Sequence, residues 1–299
     1  FGDRRGPRGS SLDALTPIID WGLKKAALSD ISSAPKGEPA WPSLALSKAL
    51  LHSIWYDLSD VKLAETLDDR SSFRRFCGFP SPEPTPERTA FVRFRKALVE
   101  RELDKVLSDA VAAQLKAKAI RVKTGTLVDA TIIASASEGD DDAHWVKHKG
   151  KPAVHGFKAH VGFDAETALA EKISITPANV NDGRAGPDTL PDDPGEVLLI
   201  VLIEDRASAG SSHQGRYAAH RGNEFVGQGP TASDRLARYL EPADPSRSRQ
   251  DREDLRHIDT SYSLRQMRWR GLLKAAVQVQ LTVIAYDLKR TVNSIAAAA

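Results

Sequence analysis

The 299-residue sequence predicts an α/β (α+β) protein: an N-terminal helical domain, then a mixed-sheet domain that closes with a C-terminal helix. Three observations carry this. Residues 11–79 repeat apolar side chains at steps of three and four. Residues 126–182 hold strand-length, β-branched runs separated by turn residues. From Gly271 the helical period returns. The order of elements supports that class and nothing finer.

Residues 1–10 are rich in Gly and Arg and form a loose leading segment. Phe1 in place of Met suggests that the chain starts inside a longer reading frame. Leu12, Leu15, Ile18, Ile19 and Leu23 line a first helix, and Trp41-Pro42 turns into a second carrying Leu44, Leu46, Leu50, Leu51, Ile54 and Leu58. Ser59-Asp60 caps a third, with Val61, Leu63, Ala64 and Leu67 behind it. Pro80 to Pro86 is a loop. Thr85-Pro86-Glu87-Arg88 starts a helix with Phe91, Phe94 and Leu98 on one face, followed by another over Leu103–Ala119. Residues 11–119 thus form one helical domain and 120–299 the second. Its strands are expected at Thr126–Ile133, at Gly156–Asp164, from Ile173 to a Pro177-Ala178-Asn179 turn, and at Glu196–Ile203. Leu273, Val277, Leu281, Ile284, Leu288 and Val292 form one stripe on the last helix.

A formal charge of +2 is only mildly basic and does not by itself predict nucleic-acid binding. The single Cys77 excludes an intrachain disulfide and fits a reducing cytoplasm. No apolar run approaches membrane-spanning length and no signal-peptide pattern opens the chain, so a cytoplasmic protein without a membrane partner is expected.

Thr126-Leu127-Val128-Asp129-Ala130-Thr131-Ile132-Ile133 is an apolar run with one carboxylate at its centre. An ionised Asp on the apolar face of a strand needs compensation. Its usual use is to hold a hard divalent cation through oxygen, which points to metal-dependent phosphoryl chemistry. The alternative is a structural Asp capping a turn. His144, His148, His155 and His160, with Asp140 to Asp142, match no standard zinc spacing.

Val128–Thr131, then Gly156-Phe157-Lys158-Ala159-His160-Val161-Gly162, then Thr176-Pro177-Ala178-Asn179-Val180-Asn181-Asp182 closely resemble bacterial insertion-sequence transposases of the DDE type. The nearest subgroup is the insertion-sequence-five family, whose "SFRRFxG" signature Ser71–Phe79 also resembles. The resemblance implies an RNase H-like core behind a DNA-binding or dimerisation domain. It implies two Mg2+ (or Mn2+) ions roughly 4 Å apart, held by Asp, Asp and Glu. Water would attack first, and a 3′-hydroxyl would then be joined to target DNA. Partners would be double-stranded DNA at element ends and target, and further copies of the chain in a homo-oligomer. The setting would be the bacterial cytoplasm, at the nucleoid.

Carried over by residue, the resemblance makes Asp129 the first catalytic and metal-binding carboxylate. Val201–Gly210 resembles the strand followed by "ADxxYxG", which makes Asp205 the second. Ser208 stands where the family has Tyr, and Glu204 is the plainer competitor, a charge at a strand end. Counting back from Ser261–Gly271, the family's Glu falls on Arg252 and its Lys on Asp259. Glu253 is one residue out of register, a helical rotation of about 100°.

Between Ser211 and Asp259 the apolar period is lost while the spacing between matching flanks is kept. A shifted reading frame, restored before Ser261, would do this, because substitution alone would keep the core pattern. This copy is therefore expected to be inactive or strongly impaired, with a DNA-binding remnant as the alternative. DNA-backbone contacts are expected from Arg74 and Arg75 at the domain junction and from Arg265, Arg268 and Arg270 near the end. For any one of them the plainer reading is a solvated helix face. Lys158 is expected either to contact phosphate or to be an ordinary strand-surface lysine, and with His160 to lie near the active site as in the family.

Overall fold

The computed structural model describes residues 15, 18–32, 40–80, 83–118, 125–147, 150–192, 196–199, 262 and 264–298. The chain divides into two compact units, residues 1–119 with 280–299, and residues 120–279.

The helical unit holds α1 (Trp21–Ala27), a 3-10 turn (Ser29–Ser32), α2 (Ser43–Trp55), α3 (Asp60–Asp69), α4 (Ser71–Cys77), α5 (Arg88–Glu100) and α6 (Leu103–Lys118). Ala49, Leu50 and Leu51 of α2, Leu63 and Leu67 of α3, and Phe91 and Leu98 of α5 are all but fully buried. The Ser59 side chain caps α3, accepting from the Lys62 N–H at 3.3 Å. Helix α4 ends at Gly78, whose φ of 89° is left-handed, and the Gly78 and Phe79 amides both return to the Arg74 carbonyl. His52 stacks on Phe73 with ring centroids 4.0 Å apart. Its ring is fully buried, and burial pushes its pKa down to about 3.

The last helix, α8 (Leu272–Ala298), departs from the single stripe expected of it. From Val277 to Leu288 it is buried on every side, Gln278, Gln280 and Asp287 included, whereas Leu273 is 66% exposed. A helix apolar all round is an interior helix. The portion from Gln280 belongs to the helical unit, where the Ala285 carbonyl accepts from the Trp55 indole at 2.9 Å.

The α/β unit is built on β1 (Gly125–Ala134), β2 (His144–Val146), β3 (Val154–Asp164), β4 (Ala170–Pro177) and β5 (Glu196–Leu199). The order β2-β3-β1-β5 is continuous, with β4 also paired to β3. Strands β1 and β3 run antiparallel from Thr126↔Asp164 to Ala134↔Gly156. Strand β5 is parallel to β1, from Gly125↔Glu196 to Val128↔Leu199. A short helix, α7 (Asp182–Ala185), and a 3-10 turn (Gly186–Thr189) follow β4. They lie close to the sheet, since a Cβ at Gly162 would sit 2.2 Å from the Thr189 carbonyl oxygen.

Candidate active site

Side chains alternate across a strand, so the uninterrupted β1–β3 register decides which residues share a face. Asp129 pairs with Val161, Thr131 with Ala159 and Ile133 with Phe157. Phe157, Ala159, Val161, Phe163, Leu127 and Ile133 are buried, so Asp129 stands on an apolar face. Burial pushes its carboxyl above the usual range, and the charge of Asp182 adds to this. Among the described residues its carboxylate meets no cationic side chain.

The other face carries Val128, Ala130 and Ile132 opposite Gly162, His160 and Lys158. Lys158 is buried there, donating from Nζ to the Val180 carbonyl at 2.8 Å and to Asp182 Oδ1 at 2.7 Å. His160 Nε2 lies 3.1 Å from Thr176 Oγ1 on β4, and its Nδ1 has no partner among the described residues. Burial pushes the ring's pKa down to about 4, with Asp182 and Asp188 opposing and Lys158 assisting. Asn181 caps α7 by accepting from the Gly183 N–H at 2.8 Å. Gly-Phe-Lys-Ala-His and Thr-Pro-Ala-Asn-Val-Asn-Asp thus hold one another: the strand residues anchor the turn that leads into α7.

On its β5 side, β1 meets Leu199 at Val128 and regains a neighbour at its end, where Ala134 bridges Gln266 in parallel. There the Ala134 N–H donates to the Arg265 carbonyl at 3.0 Å, and the Met267 N–H to the Ala134 carbonyl at 2.7 Å. Both ends of the segment between Leu199 and Tyr262 are therefore tied to β1, one on each side of Asp129 along the strand. The return is clamped by two carboxylates. Asp140 accepts from Ser135 Oγ at 2.8 Å and from the Gly271 N–H at 3.0 Å, and Asp142 accepts from the Leu272 N–H at 2.9 Å. These last two amides open α8.

The family model described as "Transposase DDE domain" matches residues 120–288, and one described as "Transposase domain (DUF772)" matches residues 2–97. The chain belongs to the DDE transposases. No solved structure matches it. The family cuts and joins DNA with a divalent metal cofactor, and no described helix of this transposase is long and apolar enough to cross a membrane.

Within the transposase, Asp129 lies on its expected strand. Asp205, Glu204, Glu253, Arg252 and Asp259 lie outside the described residues, as does the Ser211–Asp259 window. No group of three His, Cys, Asp or Glu that could hold a metal occurs among the described residues.

Lys158 is not a strand-surface lysine: it is buried and ion-paired with Asp182, on the face opposite Asp129, because its separation from Val161 along β3 is odd. His160 shares that face. Arg74 also has structural work: its guanidinium donates to the Pro80 carbonyl at 2.6 Å and to the Glu83 carbonyl, pinning the proline-rich loop. Arg75, Arg265 and Arg270 are exposed and Arg268 is half-buried. Arg270 donates to the Gly139 carbonyl. Sequence reasoning missed Asp182 as the partner of Lys158.

Proposed function

We propose that this chain is an insertion-sequence transposase of the insertion-sequence-five subgroup, with Asp129 as the first metal-binding carboxylate and the catalytic step impaired in this copy. The observation that carries it is the placement of Asp129: a carboxylate on an apolar sheet face, beside the end of β5, with no cationic side chain among the described residues to compensate it. The donor chemistry fits a hard cation, Mg2+ or Mn2+, which would polarise a phosphodiester and lower the pKa of a bound water. Asp205 is the proposed second ligand. The described register ends with Leu199 beside Val128, next to Asp129 on β1.

Impairment follows from the third position. Arg252 stands where the family's Glu belongs, and a cation there repels a divalent metal. Glu253 could serve only with a shifted helix. Arg75, Arg265, Arg268 and Arg270 are proposed to neutralise the DNA backbone. Homo-oligomers at the nucleoid would bring two element ends together.

Thermal unfolding of the full chain with and without Mn2+, paired with an element-end cleavage assay, tests this reading. Mn2+ should raise the midpoint of the wild type and not of Asp129→Asn, while cleavage stays near background for both. Wild-type cleavage at a rate typical of the family sinks the impairment, and equal Mn2+ stabilisation of both proteins sinks the role of Asp129. Resequencing codons 205–260 and translating all three frames tests the cause. A frame that restores an apolar-periodic helix with Glu near 252 and Lys near 259 identifies a frame-shifted copy. If no frame does so, the divergence is genuine and Glu253 becomes the residue to mutate. The second reading, a DNA-binding remnant, is favoured by the same Arg252 and predicts near-stoichiometric binding without cleavage.

A further inference from the structure

Helix α2 is the middle of the helical unit. Ten of its thirteen residues are buried, so it needs neighbours on every side. Helices α1, α3, α4 and α5 pack against it. At its end Trp55 donates from the indole to the Ala285 carbonyl of α8 at 2.9 Å, across 230 positions of sequence. Leu281, Ile284, Tyr286 and Leu288 of α8 are each at most 4% exposed, and this stretch clusters with the helical unit. Thr282 and Asp287 are buried among them. Burying polar side chains is costly unless specific neighbours meet them, so α8 is seated here in one fixed setting.

Magnitude decides what this seating is for. Burial of four large apolar side chains contributes about as much as the whole net stability of a domain. Helices α1 to α6 without that contribution are left at or below the threshold of folding. Domains near the start of a chain ordinarily fold as they emerge during synthesis. This one cannot complete its core before α8 exists.

We propose that the helical domain is discontinuous and is completed by α8 from Gln280 to Leu288, so that it closes only in a chain made through that helix. A nascent or truncated product that stops earlier carries α1 to α6 without a stable domain. Whatever contacts the domain makes are thereby confined to chains that include α8. The inference concerns how the domain is assembled and does not depend on the metal site.

The test uses the full chain. Cys77 is its single cysteine, lies on α4 and is buried, so its thiol reports opening of the helical unit. Labelling by a disulfide reagent at neutral pH, without denaturant, reads that opening, and hydrogen exchange with mass spectrometry follows the amides of α2. Leu288→Ala should speed both by about thirtyfold or more, the population shift of a buried leucine cut to alanine. Leu127→Ala, a cut of the same size on β1, should leave both within about twofold of wild type. If either alanine variant does not fold, Ile284→Val on α8 and Ile133→Val on β1 take their places, with an expected rise of about two- to twelvefold for Ile284→Val alone. The proposal is overturned if the α8 variant leaves Cys77 and α2 at wild-type rates. It is overturned equally if the β1 variant speeds both as much as the α8 variant, since the chain then opens as one body and α8 does not belong to the helical domain in particular.

Discussion

Asp129 and Lys158 stand on opposite faces of one sheet. Asp129 is paired with Val161, and Lys158 lies an odd number of residues away along β3. The motif lysine therefore faces away from Asp129. It holds the turn that carries Val180 and Asp182, and its ammonium answers the Asp182 carboxylate. What looks in sequence like a catalytic cluster is an acid on one face and its scaffold on the other.

Breaking that scaffold should cost stability. Lys158 is buried and Asp182 about two-fifths exposed, so Lys158→Met should destabilise the chain by about 1–3 kcal/mol, below the range for a fully buried pair. Adding Asp182→Asn should recover part of the loss, because the stranded carboxylate is then gone. Urea denaturation of both single variants and the double variant would show it. Additive losses would mean the pair is not coupled.

The glycine at 162 is set by the close approach of the Thr189 carbonyl. A methyl group there would sit 2.2 Å from that oxygen, and the oxygen is backbone. Gly162→Ala should cost about 2–4 kcal/mol or prevent the α/β unit from folding. Retained midpoint and near-ultraviolet circular dichroism would contradict the packing of the 186–189 turn on β3.

His160 predicts an acid limb to stability. Its pKa is about 4 in the folded chain against about 6.5 when unfolded, so the unfolded state takes the proton first. Its stabilising contribution is complete above about pH 6.5 and is lost progressively as pH falls towards 4, by up to about 3 kcal/mol. His160→Gln removes the titration while keeping a group able to meet Thr176. The difference in unfolding free energy between wild type and variant should narrow from pH 7 to pH 4. A constant difference would mean the ring is not buried neutral.

In the helical unit, Arg95 donates to both oxygens of Asp60 at 2.8 and 2.6 Å, with its side chain 8% exposed. The pair ties α5 to the first turn of α3, so Arg95→Met should cost about 2–4 kcal/mol. Asp60→Asn should cost less, since the amide oxygen can still accept one bond. Chemical denaturation followed by tryptophan fluorescence distinguishes the two.

Much of the fold was legible without coordinates because it is periodic. The apolar steps of α2 and α5, the Ser59 cap and the strand runs around Asp129, Lys158 and Ile173 come from local chemistry, and the elements formed where that chemistry placed them. Strand β2 escaped because three residues carry no period, and α7 because a single turn has no stripe. Helix α8 shows the same boundary from the other side. Its apolar positions announced a helix, but only the packing decided that Gln278, Gln280 and Asp287 would be buried with Val277 and Leu288.

By itself the sequence determined the acid on β1, the motifs around it and the family they belong to, because these depend on residue identity and order. Tertiary structure alone decided which face each motif residue serves, since that follows from strand pairing between residues distant in the chain. Pairing Asp129 with Val161 sends Lys158 and His160 to the far side as buried scaffold. A shift of one residue in that register would exchange those roles, and no local pattern in the chain records it.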